Sequence, residues 1–106
     1  MKRVILPNKY RAEVLTLLFD FTSQLVPGDA LGGTGSPVVT ISVYQGVDAS
    51  PAAMLSGSAS NVGNVLHQNV QNGVVGVTYT VRAAASTTGG ATLVQQGFLT
   101  VMPDQP

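Results

Sequence analysis

Few groups in this chain could do chemistry: its 106 residues hold one Glu, four Asp, one His and no Cys. Acid–base catalysis needs titratable groups that converge. Here Glu13, Asp20, Asp29, Asp48, His67 and Asp104 stand singly, far apart in sequence. His67 has no second His, Cys or carboxylate near it in sequence, so it reads as a surface or satisfied residue and not as a ligand or base. A Ser/His/Asp set could be assembled on paper from His67 and the many serines, but no Gly-x-Ser-x-Gly elbow supports it. The aspartates never alternate as a calcium loop requires. Gly32-Gly33-Thr34-Gly35-Ser36-Pro37 is rich in glycine, yet it lacks the Gly-Lys-Ser/Thr end that would hold phosphate and Mg²⁺, and no long helix follows it. We therefore expect no catalytic residue, no cofactor and no metal site. Without Trp, a sugar-stacking platform is thin; Tyr44 and Phe98 suit packing against a neighbouring strand or subunit better, and Tyr10 is a further surface aromatic.

Such residues must be carried by a single domain, because about 100 to 150 residues is the usual domain size. Hydrophobic residues make up 44% and mean hydropathy is +0.29, which sets the chain apart from disordered compositions. Its apolar runs fall well short of the roughly 20 residues that cross a bilayer. Only 9% of residues are charged and the net charge is zero, so neither nucleic acid nor an anionic membrane is an expected partner. A surface so poorly charged favours association, which suits life inside an assembly. With no cysteine, packing alone holds the fold. Val4-Ile5-Leu6 before Pro7 is shorter than the apolar segment of about 7 to 15 residues in a secretory signal, so synthesis in a cytoplasm is expected.

Charge is placed unevenly. Lys2, Arg3, Lys9 and Arg11 supply four of the five basic residues, and Arg82 is the fifth. The spacing predicts a basic arm over residues 1–11, a domain over 12–102 and a short polar tail over 103–106. Within the domain, the dominant stretch is a β-hairpin over residues 72–102. Val77, Tyr79, Val81 and Ala83 alternate with Gly76, Thr78, Thr80 and Arg82, the period of a half-buried strand. Ser86-Thr87-Thr88-Gly89-Gly90 turns the chain, and Leu93, Gly97, Leu99 and Val101 bring it back.

Ahead of the hairpin, Val4-Ile5-Leu6 is a first strand ended by Pro7, which has no N–H for a ladder, and residues 8–11 turn the chain. Residues 12–22 place Leu15, Leu17, Phe19 and Phe21 on one face and Val14, Leu18 and Asp20 on the other. Val26-Pro27-Gly28-Asp29-Ala30 carries the Pro-Gly pair of a type II turn. Residues 38–45 form a second core strand with Val39, Ile41 and Val43 inward and Val38 and Tyr44 outward. One helical turn is predicted near residues 50–55, with Ser50 at its N-cap, Pro51 at its first position and Gly57 stopping it. A strand covers residues 61–70, with an inward face that the pattern does not fix.

About seven short strands with Gly/Pro/Asn turns and no long helix signal an all-β sandwich or barrel, with a simple meander as the alternative. An immunoglobulin-like antiparallel β-sandwich is favoured, because Tyr79, after the Asn72-Gly73 turn and just before Val81, resembles a tyrosine corner. Against this, Asn-Gly is also the best two-residue hairpin signal, and a direct hairpin there would put both strands in one sheet.

Several segments together carry a resemblance: Lys2-Arg3-Val4-Ile5-Leu6-Pro7 with Lys9-Tyr10, Phe19-Asp20-Phe21-Thr22-Ser23, Ser42-Val43-Tyr44-Gln45-Gly46 with Asp48-Ala49-Ser50-Pro51, Gly73-Val74-Val75-Gly76-Val77-Thr78-Tyr79, and Gly97-Phe98-Leu99 with Pro103. Over nearly its whole length the chain resembles a group of small bacteriophage-encoded, virion-associated proteins. The resemblance implies an immunoglobulin-like module built into a phage particle, as capsid decoration, at the head-to-tail junction or in a fibre. Its partners would then be capsid, portal or adaptor, or fibre subunits, with the chain oligomeric or in many copies, made in the host cytoplasm and located in the virion. Two departures stand out: a long, flexible residue 32–36 loop, and Gln95 where an apolar residue is expected. The expected contacts are Lys2, Arg3, Lys9, Tyr10 and Arg11 of the arm, with outward Val14, Leu18, Tyr44 and Phe98. The alternative is a receptor- or glycan-binding module using the loops at residues 32–36 and 87–90.

Overall fold

The computed structural model describes residues 2–32 and 37–103, and the backbone alone for Lys2. Among these residues the strands are β1 (Lys2–Ile5), β2 (Lys9–Tyr10), β3 (Leu15–Asp20), β4 (Val38–Gln45), β5 (Leu55–Val62), β6 (Val65–Val70), β7 (Thr78–Ser86) and β8 (Thr92–Met102), with 3-10 turns at Thr22–Gln24 and Pro51–Met54. β7 and β8 form the expected hairpin, antiparallel from Thr78 opposite Thr100 to Ser86 opposite Thr92. β4 joins β7, and β1 and β2 both join β8, giving one sheet in the order β1-β8-β7-β4; the second sheet is β3-β6-β5.

Two sheets with these neighbours are an immunoglobulin-like β-sandwich: β4, β7 and β8 stand where strands C, F and G do, and β3, β6 and β5 where B, E and D do. The first strand differs from the constant-type arrangement. It pairs in parallel with β8, and Pro7 splits it into β1 and β2 because proline cannot donate to the ladder. Between the sheets lie Leu17, Phe19, Leu66 and Val70 from one side and Ile41, Tyr79, Val81, Leu99 and Val101 from the other, all buried. Burying each large side chain is worth about 1.5–3 kcal/mol. Val81, two residues after Tyr79, stands where antibody domains carry the second cysteine.

The corner between β6 and β7 settles the Asn72-Gly73 question. β6 and β7 belong to different sheets, so the turn carries the chain across the sandwich. Asn72 and Gly73 both have positive φ (54° and 100°). A Cβ on Gly73 would lie 2.7 Å from Val101 Cγ2 and 3.0 Å from Met54 Cε, so a side chain is excluded by space as well as by backbone. The Tyr79 hydroxyl accepts from Val74 N (2.9 Å) and donates to Asp48 Oδ2 (2.7 Å), making the tyrosine corner. Burial, reinforced by the Asp48 carboxylate, pushes the phenol up to about 12. The Tyr79 hydrogen bond, with one from Ser50 N, holds Asp48 below its ordinary value.

Residues 2–11 do not form a free arm. β1 and β2 are hydrogen-bonded strands, and Lys9 is fully buried, where Nζ donates to the carbonyls of Asn72 (2.7 Å), Tyr10 (2.9 Å) and Arg11 (3.0 Å). Lys9 is therefore withdrawn from the expected contacts, because its ammonium is used inside the corner. Deleting residues 1–11 would remove two strands and this ammonium, so the deletion tests folding and not attachment.

Residues 55–70 also differ from expectation. They form two strands, β5 and β6, joined at Gly63-Asn64, and Gly57 lies within β5 instead of stopping a helical turn. Leu66, Gln68 and Val70 point inward. The helical turn is a 3-10 turn, Pro51–Met54, in which Ser50 makes no side-chain cap bond. Gln95 is buried, as an apolar residue would be, and Nε2 donates to the Asp20 carbonyl and to Gln24 Oε1, both at 2.7 Å, tying β8 to the end of β3. The part of the glycine-rich loop at 33–36 and the tail at 104–106 lie outside the described residues.

Candidate interaction surface

Strand alternation decides which side chains leave the β1-β8-β7-β4 sheet on its solvent side. Since Val39 and Ile41 of β4, Tyr79 and Val81 of β7, and Leu99 and Val101 of β8 point inward, their neighbours point out. Register then arranges those neighbours in rows across the strands. One row is Val38, Ala84 and Val94; the next is Thr40, Arg82, Gln96 and Arg3; the third is Ser42, Thr80, Phe98 and Ile5. Beyond them Thr78 and Thr100 bond hydroxyl to hydroxyl (2.9 Å), and Tyr10 pairs with Met102.

A register shift between Val43 and Gln45 leaves Tyr44 outside the ladder with β7. Bulges of this kind re-aim a side chain. Tyr44 reaches across β7 to Phe98, with ring centroids 4.5 Å apart and planes tilted by 43°, an arrangement in the favoured range for aromatic pairs. Both rings remain open to solvent, and Ile5, the most exposed apolar side chain, has lost none of its accessible surface. Between β1 and β8 a shallow cleft of about 250 Å³ is lined by Arg3, Val4, Ile5, Gln96, Gly97 and Phe98. Gly97 allows β1 this close: a Cβ there would lie 2.8 Å from the Val4 carbonyl oxygen and 2.9 Å from Leu6 Cγ.

Among the described residues facing out of this sheet, the charged side chains are the guanidiniums of Arg3 and Arg82. Neither makes a hydrogen bond or ion pair with described residues. The described carboxylates lie elsewhere and accept bonds from their own chain: Glu13 from Tyr10 N, Asp20 from Thr22 N, Asp48 as above, and Asp29 from Ala30 N, Gly89 N and Thr88 Oγ1. The Thr88 hydroxyl and these amides hold Asp29 at about 2.

Of the sequence-predicted contacts, Arg3, Tyr10, Tyr44 and Phe98 come together on this face. Val14 and Leu18 are exposed on the solvent side of the other sheet, Arg11 is exposed beyond β2, Lys9 is buried, and the Lys2 side chain lies outside the described residues. Ile5 was missed because the unbroken run Val4-Ile5-Leu6 has no alternation to read. Arg82 was placed on the polar face of its strand, but its row with Gln96 and Arg3 depends on pairing across three strands. His67 faces out of β6 with Leu18 and Ser60 as its cross-strand neighbours. Among the described residues no three His, Cys, Asp or Glu side chains gather as a metal site would need, and no helix is long and apolar enough to cross a membrane.

Of the loops of the alternative reading, residues 87–90 are bonded to residues 29–31, and residues 33–36 lie outside the described residues. Asp29 clasps Thr88 and Gly89, Thr88 N donates to the Ala30 carbonyl (2.9 Å), and Leu31 bridges to Thr87, which is buried. No family model, curated protein or solved structure matches the chain.

Proposed function

We propose that this protein is a non-enzymatic structural component of a bacteriophage particle, whether capsid decoration, head-to-tail junction or fibre, and that it attaches through the solvent face of the β1-β8-β7-β4 sheet. One observation carries the attachment surface: a tilted Tyr44–Phe98 pair, the exposed Ile5 and two guanidiniums without partners among the described residues share one sheet face. Contiguous exposed apolar surface of this kind marks protein contacts, and aromatic and arginine side chains are enriched in them. The phage setting rests on the sequence resemblance. In a particle with many copies, simultaneous contacts raise avidity far above that of any single contact, so a modest patch suffices. Receptor or glycan recognition through loops 32–36 and 87–90 draws no support from residues 87–90, which the Asp29 clasp holds.

The test is to purify particles from cells making the wild-type chain or a Tyr44→Ser/Phe98→Ser chain, and to count copies by quantitative mass spectrometry. The proposal expects the wild-type chain in many copies per particle, and the variant depleted from particles though folded by circular dichroism. Equal incorporation of the two chains would remove this face from the account. A free monomer absent from particles would overturn the structural role.

A further inference from the structure

We infer that the free edge of β1, beside this cleft, receives an extended segment of a different protein, carrying a carboxylate side chain at one position and a large apolar side chain two residues later, next to Arg3 and Ile5. The inference rests on reading this sheet face as a contact surface and names the chemistry of the partner. Three observations carry it.

First, the cleft is divided along its length. One end is polar, with Arg3 of β1 opposite Gln96 of β8; the other is apolar, with Ile5 opposite Phe98. The two ends are one strand repeat apart, about 6.6–6.8 Å. Side chains at positions i and i+2 of an extended partner segment have the same separation and the same facing, so one such segment can meet both ends at once. Second, β1 is the edge of its sheet, paired on one side to β8. A strand edge of this kind can pair with an incoming extended segment and hold it in register beside Arg3 and Ile5.

Third, the charges on this face call for an anionic complement from outside the chain. Arg3 and Arg82 flank Gln96 in one row, with no described carboxylate on that face and no described partner for either guanidinium. Glu13, Asp20, Asp29 and Asp48 each accept hydrogen bonds that hold their own backbone or the tyrosine corner. Among the described residues a carboxylate with a large apolar residue two positions later occurs at Glu13-Val14-Leu15 and Asp29-Ala30-Leu31, where Leu15 packs against the core and Leu31 is buried, so a second copy does not present that pair. A guanidinium meets a carboxylate through paired N–H donors, which the planar fork of arginine supplies without rearrangement.

The full chain is to be titrated with the peptide acetyl-Thr-Glu-Thr-Phe-Thr-amide at low salt, while its backbone amide resonances are followed by NMR. The inference expects saturable shifts confined to residues 3–5 and 96–98, weakened by added salt. It expects binding about tenfold weaker for the Gln-for-Glu peptide and for an Arg3→Gln chain. Equal binding of the two peptides would overturn it, as would shifts centred on another surface. So would self-association of the chain that is abolished by Asp104→Asn, because the occupant would then be a second copy. Particles distinguish this failure from that of the broader reading: if Arg3→Gln is incorporated normally while Tyr44→Ser/Phe98→Ser is not, the contact face stands and the acidic partner falls.

Discussion

Lys9 and Arg3 belong to the same stretch of chain, and Tyr44 and Tyr79 to neighbouring strands, yet the members of each pair sit in opposite settings. In the corner between β6 and β7, Lys9 and Tyr79 are buried and bonded to carbonyls, an amide and a carboxylate. On the solvent side of the same sheet, Arg3 is exposed without a described partner and Tyr44 is exposed against Phe98. A polar group inside the fold must find its bonds within the molecule, or burial costs more than it returns. Outside, water satisfies the group until a partner replaces it. The corner is therefore where substitution should damage stability, and the outer face is where it should damage association.

The largest effect is expected at the corner. Lys9→Met leaves three carbonyls without their shared donor, and should cost about 3 kcal/mol on the scale of charge-assisted hydrogen bonds, seen as an earlier midpoint in urea unfolding. Tyr79→Phe should cost about 2 kcal/mol by the same measurement, since both corner bonds pass through its hydroxyl. A Tyr79→Phe chain that unfolds with the wild type would break the comparison at its firmest point.

Titration sharpens it further. The pKa of Tyr79 is raised in the fold, so its contribution is intact below the ordinary phenol value of 10.0 and is lost as pH rises from there through about 12. Tyr79→Phe should remove that alkaline loss. Asp29 is the reverse case: its pKa is lowered from 3.8 to about 2, so its contribution is intact above 3.8 and lost as pH falls through about 2. Thermal unfolding of an Asp29→Asn chain should therefore show a shallower fall in Tm across that acid range than the wild type. The smallest effect on stability is expected on the outer face, where Arg82→Gln should stay within about 0.5 kcal/mol of wild type while reducing incorporation into particles.

How much of this was legible depended on whether the signal was local. β4 was read with its observed ends, and the inward faces of β3, β4 and β7 followed from alternation. The tyrosine corner was legible because Asn72, Gly73 and Tyr79 lie close in sequence. β5 was not, because Ser56, Gly57, Ser58, Ser60 and Asn61 give no apolar period even though the strand pairs with β6. Lys9 was misplaced for a different reason: its partner Asn72 lies 63 residues away, and a lysine among basic residues reads as solvated until that approach is known. Gln95 broke the apolar pattern because its bonds to Asp20 and Gln24 form only when β8 meets the end of β3. The candidate surface was legible residue by residue, but not as a surface. Alternation exposed Tyr44 and Phe98 together with Val14 and Leu18, and only strand pairing separates the two pairs onto opposite faces of the sandwich.

The central claim is that the β1-β8-β7-β4 face is the one that meets other proteins. A cryo-electron microscopy reconstruction of purified particles tests it most directly, by showing which side of the domain a neighbour covers. The account predicts a neighbouring protein packed over Arg3, Ile5, Tyr44 and Phe98, with Val14 and Leu18 left in solvent. A neighbour seated on Val14 and Leu18, with the Tyr44–Phe98 pair facing water, would contradict it.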